Sequence, residues 1–186
     1  MIAAVQGDAD RWNERYEGRS TGDPTPPQGL ARIPLERGGR CLDVACGLGA
    51  QSLWAAEQGY EVVALDVSEA AITALNGAAL SRGLRDRIET RVVDLDEGLP
   101  SDLAGTCDLV ICQRFRDPQL YEQLVYMAKP GGTIVVTVLS QVGRDAPAGP
   151  YHARPGELVA AFAGFDTEIV RSIESDGEAT LVARRT

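Results

Sequence analysis

Several absences narrow the sequence before any motif is considered. No stretch approaches the roughly 18 consecutive apolar residues of a membrane-spanning helix. The opening run from Met1 to Asp8 has no basic region leading into an apolar one, so neither a membrane anchor nor a targeting segment is expected and the expected location is cytoplasmic. Positive charge is also short: 27 acidic residues stand against 18 basic ones, a net charge of −9. That balance opposes a stand-alone nucleic-acid binder, which needs clustered cations against phosphate, although 17 arginines leave room for a local basic face. The four cysteines form no CxxC pair. Cys41 and Cys46, like Cys107 and Cys112, are five apart around apolar runs, which reads as buried thiols and not as a metal site or a disulfide framework. If their two strands are neighbours, Cys41 and Cys107 lie close. There is a single histidine, His152.

What is present is the composition of one globular domain: 186 residues, 44% of them apolar, punctuated by 20 glycines and 10 prolines. Two parts are expected, an N-terminal helix with a lid or tether over residues 1–36 and a folded domain over 37–186. The segment from Asp8 to Gly18 reads as a helix with Trp12 and Tyr16 on one face and Arg11 and Arg15 on the adjacent one. That face either docks the helix on the domain or lies over a ligand crevice. Residues 20–29 hold three prolines and two glycines and cannot be regular structure.

From Arg40 onward, strands and helices alternate. Strands are expected at 41–45, 60–65, 88–93, 108–112 and 133–139, with helices at 50–58, 68–80 and from Asp117 to Met127 between them. Lys129-Pro130-Gly131-Gly132 reads as a turn. A helix opening at Pro155-Gly156-Glu157 and a closing strand pair, 165–173 and 178–183, follow a loop over 140–154. This pattern predicts a Rossmann-like α/β three-layer sandwich: a seven-stranded, mostly parallel sheet with an antiparallel last strand.

In such sheets ligands bind beyond the carboxyl ends of the strands. Gly47 and Gly49 follow the first strand, Asp66 ends the second and Asp94 ends the third. Glycines let a backbone approach a ligand closely, and Asp66 stands at the spacing where a carboxylate accepts from two ribose hydroxyls. The turn departs from a dinucleotide fingerprint because Ala50, Gln51 and Ser52 follow Gly49, leaving no third glycine. Asp43 beside it would repel a pyrophosphate but suits a ligand ammonium, which favours a zwitterionic nucleoside over NAD or FAD.

The sequence resembles the class I S-adenosylmethionine-dependent methyltransferases. The matching pieces are Leu42-Asp43-Val44-Ala45-Cys46-Gly47-Leu48-Gly49, Val62-Val63-Ala64-Leu65-Asp66-Val67-Ser68, Val93-Asp94-Leu95, Cys107-Asp108-Leu109-Val110-Ile111-Cys112 and Lys129-Pro130-Gly131-Gly132, in the family's order. With Trp12-Asn13-Glu14-Arg15-Tyr16 ahead of a minimal core, the layout is similar to the small bacterial tellurite-resistance and thiopurine methyltransferases. The resemblance implies S-adenosylmethionine as cofactor. The backbone from Ala45 through Gly47 to Gly49 would lie against its methionine portion, with Asp43 in support. Asp66 would hold the ribose, Val67 would flank the adenine, Asp94 and Leu95 would bind the ring, and Cys112 would border the methyl. It implies methyl transfer, which needs positioning more than a shared catalytic residue. The alternatives are a non-catalytic binder of the same cofactor and an NAD-dependent oxidoreductase.

Residues Gln113-Arg114-Phe115-Arg116 after the fourth strand read either as an acceptor wall, two arginines around an aromatic, or as core packing beside solvated charge. Trp12, Tyr16 and Gln141 join them as acceptor-binding candidates, and His152 is the candidate base. No Asn/Asp-Pro-Pro-Tyr segment follows that strand, so a nucleic-acid amine is not the expected acceptor. A small molecule is. No metal or membrane partner is expected, and the chain is read as a monomer or dimer.

Overall fold

The computed structural model of the protein describes residues 2–145, 147 and 149–186, with side chains from Gly7 onward. Two compact units contain the packing. One comprises the chain up to Pro26 with Arg37–Leu99, the other Pro27–Glu36 with Pro100–Thr186. The first 36 residues are thus shared between the two units.

The first unit carries helix α1 (Ile2–Tyr16), strand β1 (Arg40–Val44), helix α2 (Ala50–Glu57), strand β2 (Glu61–Asp66), helix α3 (Glu69–Ser81) and strand β3 (Ile88–Val92). Its strands run parallel in the order β3-β2-β1. After their first residues, β1 and β2 are buried throughout, as unbroken apolar runs must be when both sheet faces are covered. Ser68 caps α3, its hydroxyl accepting from the N–H of Ala71 at 3.2 Å, and Glu69 meets the positive end of the helix dipole. Ala71, Ile72, Leu75 and Ala79 form the buried stripe of α3. Helix α1 begins at Ile2, earlier than the Asp8 start expected from its caps.

The second unit holds β4 (Cys107–Gln113), α4 (Tyr121–Met127), β5 (Ala128–Leu139), α5 (Glu157–Phe162), β6 (Thr167–Ser175) and β7 (Glu178–Arg185), with strand order β4-β5-β7-β6. Strands β4 and β5 are parallel, and β7 is antiparallel to both its neighbours. Asp176 (φ 52°) and Gly177 (φ 81°) make the two-residue turn that a right-twisted hairpin favours. Phe162 is fully buried between Tyr121 and Phe165, with ring centroids 5.8 Å from each. Burying a ring of that size stabilises by about 2–3 kcal/mol.

Two elements of this unit differ from the sequence expectation. The Asp117-Pro118 start gives a turn, in which the Asp117 carboxylate accepts from the N–H of Gln119, and α4 begins only at Tyr121. Lys129-Pro130-Gly131-Gly132 lies inside β5 as a bulge: pairing jumps from Cys107 with Ala128 to Leu109 with Thr133. Gly132 is required there, because a Cβ would sit 2.8 Å from the carbonyl oxygens of Cys107 and Lys129. All four cysteines are buried.

A seven-stranded, mostly parallel sheet with intervening helices makes a Rossmann-like α/β fold, as the alternation predicted.

Candidate cofactor site and acceptor face

In the first unit the hydrogen-bond ladder runs past the ends of its strands. The N–H of Cys46 donates to the carbonyl of Leu65 at 2.9 Å, and the N–H of Val93 donates to the carbonyl of Asp66 at 2.9 Å. These bonds bring together the turn after β1, the end of β2 and the residues after β3. The turn itself runs through left-handed backbone at Ala45 (φ 53°), Gly47 (φ 53°) and Gly49 (φ 80°). A non-glycine residue in this region carries strain, and here it bends the chain at the strand end.

The two glycines serve different ends. A Cβ on Gly47 would lie 2.9 Å from the Tyr16 hydroxyl, so this glycine faces α1. A Cβ on Gly49 would collide with the buried side chain of Leu75, so this one lets α3 pack against the turn.

Asp66, 6% exposed, accepts from the N–H of Gly47 through Oδ2 at 2.7 Å and from the N–H of Ser68 through Oδ1 at 2.9 Å. Burial pushes its carboxyl up, against the pull of those amides. Asp43 is 2% exposed, and Ser52 donates its hydroxyl to Oδ2 at 2.6 Å. Desolvation raises Asp43 to about 7, the Ser52 bond lowering it and the nearby charge of Asp66 raising it further. Asp94 caps the short turn after β3 by accepting from the N–H of Asp96 through Oδ1 at 3.0 Å, while its Oδ2 is buried with no partner among the described residues. No basic side chain pairs with Asp43, Asp66 or Asp94 among the described residues. Carboxylates without a basic partner, one of them with a buried oxygen that lacks any donor, call for a ligand that brings hydrogen-bond donors and positive charge. An aminonucleoside with a ribose diol, an exocyclic amine and an ammonium group meets that description. Leu95 is buried beside Asp94, and Val67, half-buried, follows Asp66.

Helix α1 adds Asn13, a residue to which the sequence assigned no role, beside the expected aromatic and arginine faces. The Asn13 side-chain oxygen accepts from the Ser68 hydroxyl at 2.8 Å and from the N–H of Ala70 at 3.1 Å. Trp12 and Tyr16 stack at 5.6 Å, with the guanidiniums of Arg11 and Arg15 over the indole. Burial first, then the charge of Asp66, raises the Tyr16 hydroxyl above the usual tyrosine range.

In the second unit the residues after β4 are heavily engaged. Cys112 is buried, and its thiol lies 3.7 Å from the carbonyl of Phe115. The Gln113 side-chain oxygen accepts from the N–H of Gln28 at 3.2 Å. Arg114, in left-handed backbone at φ 59°, donates to Glu178 at 2.8 Å, and Glu178 also accepts from the Gln28 amide at 3.0 Å. Arg116 forms a two-point bond to Glu157 at 2.8 and 2.7 Å, a carboxylate that also accepts from the Tyr121 hydroxyl and the N–H of Arg154. That pair holds Glu157 below the usual carboxylate range. Both arginines read as an anion grip therefore already have carboxylate partners. Phe115 is half-buried. Gln141 is exposed, its N–H donating to the carbonyl of Ala153 at 3.0 Å. The Nδ1 atom of His152 lies 2.9 Å from the backbone nitrogen of Gly149 and 3.2 Å from its carbonyl oxygen, so it accepts from the one or donates to the other according to the ring's tautomer.

Comparison with known proteins agrees with this geometry. A family model described as "Methyltransferase domain" matches residues 41–132. Ribosomal RNA small subunit methyltransferase C from Alcanivorax borkumensis is 31% identical over 110 residues, covering 54% of this chain and 32% of its own. Ubiquinone biosynthesis O-methyltransferase from Bordetella avium is 30% identical over 110 residues, 56% of this chain and 44% of its own. The chain thus spans less than half the length of these curated relatives. Geranyl diphosphate C-methyltransferase from Streptomyces coelicolor, solved with Mg2+, geranyl diphosphate and S-adenosyl-L-homocysteine, shares the fold with a TM-score of 0.74 at 14% identity, covering 98% of both chains. The glycine turn and the acidic residues ending β2 and following β3 all lie within the segment that matches a methyltransferase domain, on a fold shared with the geranyl diphosphate enzyme.

Proposed function

We propose that this protein transfers the methyl group of S-adenosylmethionine to a small-molecule acceptor in the cytoplasm. The observation that carries the reading is the set of three carboxylates around the glycine turn, none with a basic partner among the described residues. The cofactor supplies a methyl group on a sulfonium, whose displacement by a nucleophile releases a neutral thioether.

Everything else falls to the chain's own groups. Asp66 uses two of its roughly four acceptor positions on Gly47 and Ser68, leaving two for a ribose diol. The orphaned Oδ2 of Asp94 would accept from an adenine amine, with Leu95 and Val67 against the ring. Asp43 would balance the cofactor's positive charge, and the Ala45–Gly49 backbone would take its amino-acid portion. Cys112, Gln113 and Phe115 would border the methyl and the acceptor, with Trp12, Tyr16 and Gln141 as further contacts. Since Arg114 and Arg116 are paired, their part is to hold this face in place. Their engagement and the net charge of −9 favour a small acceptor over a nucleic acid. No helix among the described residues is long and apolar enough to cross a membrane. As a working unit, a monomer or a dimer fits.

Calorimetric titration with S-adenosylmethionine, S-adenosylhomocysteine and NAD tests the cofactor, and release of S-adenosylhomocysteine in a screen of thiols and small anionic aromatics tests the transfer. Binding of the two sulfur nucleosides with NAD silent, then turnover, is expected. Silence from both nucleosides on folded protein refutes the reading, and binding without turnover of any acceptor points to a non-catalytic binder.

A further inference from the structure

Helix α1 covers the glycine turn, and few contacts among its described side chains hold it there. None of its described side chains, Gly7 to Tyr16, is buried. Its ion pair, Arg11 with Asp8, is internal to the helix, as is the stack of Trp12 on Tyr16. Among the described residues, two attachments reach the rest of the unit. One is the close approach of the Tyr16 hydroxyl to Gly47. The other is the side chain of Asn13, whose oxygen accepts from Ser68 and Ala70 at the first turn of α3. Like charge acts against the second. An open groove of about 550 Å³ is lined by Asp10, Glu14 and Glu17 on one side and Glu69 of α3 on the other. Repulsion across it loads the Asn13 contact.

The chain after α1 is suited to bending. Residues 17–20 and 22 are exposed, and the run contains Gly18 and Gly22. Beyond it the chain is anchored again: Asp23 pairs with Arg82 at 3.2 Å, and the N–H of Thr25 donates to the carbonyl of Ala50 at 3.1 Å. A segment whose described side chains, Gly7 to Tyr16, make few buried apolar contacts and one polar latch, and which ends in a glycine-bearing joint, opens at lower free energy than the core it lies on.

We propose that α1 is the gate of the cofactor site and that Asn13 is its latch, a positioning residue that holds Tyr16 over Gly47 by gripping the first turn of α3. The inference rests on the cofactor occupying the Gly47 turn. Bonds that close alike over the free and the loaded protein would govern how fast the cofactor enters and leaves more than how tightly it is held.

The test uses the indole of Trp12 as reporter in a W54F background, with S-adenosylhomocysteine as probe. Stopped-flow fluorescence of N13A should show association and dissociation both faster by about fivefold or more, the equivalent of one net hydrogen bond, with the dissociation constant changed far less. Higher ionic strength, by screening the groove, should slow both rates in the parent protein. Hydrogen exchange provides a second readout: amides of α1 should exchange faster than those of β1 and β2, be slowed by S-adenosylhomocysteine, and be hastened by N13A. Exchange rates of the probe unmoved by N13A, or α1 amides as protected as the strands, would overturn the gate while calorimetric binding left the cofactor assignment standing. Absence of calorimetric binding in the parent protein would overturn both.

Discussion

The backbone N–H of Gly47 donates to the Asp66 carboxylate at 2.7 Å, joining the turn after β1 to the end of β2 through the residue expected to hold the ribose. The carboxylate therefore has two duties, shaping the turn and receiving the ligand. D66A should weaken S-adenosylhomocysteine binding by about 10- to 100-fold, and D66N, which keeps one acceptor oxygen, by less. Calorimetry on protein shown to be folded decides it, and an unchanged affinity in D66A would remove Asp66 from the site.

Asp43 makes the free protein sensitive to pH in a defined direction. Its folded-state value of about 7 lies above the ordinary 3.8, so the folded state binds the extra proton. The stability this contributes is complete below about pH 3.8 and is lost as pH rises through about 7, and Asp66, shifted the same way, adds to it. D43N can still accept from Ser52 through its amide oxygen but carries no charge, so its stability should fall less between pH 5 and 8. Urea unfolding of both proteins across that range measures the difference, and parallel profiles would contradict it.

Gly49 and Leu75 should behave as a coupled pair. G49A forces a Cβ into Leu75 at φ 80° and should destabilise by about 3 kcal/mol or more. G47A meets only the hydroxyl end of Tyr16 and should cost about 1–2 kcal/mol. In a double-mutant cycle, L75A should relieve part of the G49A loss. Simple additivity of the two losses would show that backbone strain alone is responsible.

His152 should be dispensable for proton transfer. Its Nδ1 is engaged by the Gly149 backbone, the N–H at 2.9 Å and the carbonyl at 3.2 Å, and no hydrogen bond among the described residues ties the ring to the carboxylates of the site. H152Q should retain kcat/KM within about threefold, where loss of a true general base costs about 100-fold or more. A loss of that size, with the acid limb of the pH–rate profile removed, would restore His152 as the base.

The strands were legible because buried parallel strands are written as apolar runs, Leu42-Asp43-Val44 and Val62-Val63-Ala64-Leu65 among them, bounded by glycine. Gly47, Asp66 and Asp94 were legible as candidates because each sits at or just beyond a strand end, where short-range order fixes its place. The polar links were not. Asn13 reaches Ser68 across 55 residues, Arg116 reaches Glu157 across 41, and Gln28 reaches Glu178 across 150. Each such pair depends on tertiary placement, and surface polar residues carry no period that announces a partner. The bulge in β5 was missed for a related reason. Pro130-Gly131-Gly132 has turn propensity, and pairing of Ala128 with Cys107 overrides it.

The strap at residues 27–36 bears on how the chain is made. Arg171 in β6 donates to the carbonyls of Gly29 and Ala31 at 2.5 and 2.6 Å, and a Cβ on Gly29 would press on Thr180 of β7. These residues leave the ribosome well over a hundred positions before the strands that receive them. During synthesis the strap therefore waits, while the glycine turn and its carboxylates have all the sequence their own unit requires once Leu99 has emerged. A ribosome-stalled chain ending near Leu99 would carry a complete first unit and an orphaned strap, and the second unit would close only when translation is nearly finished.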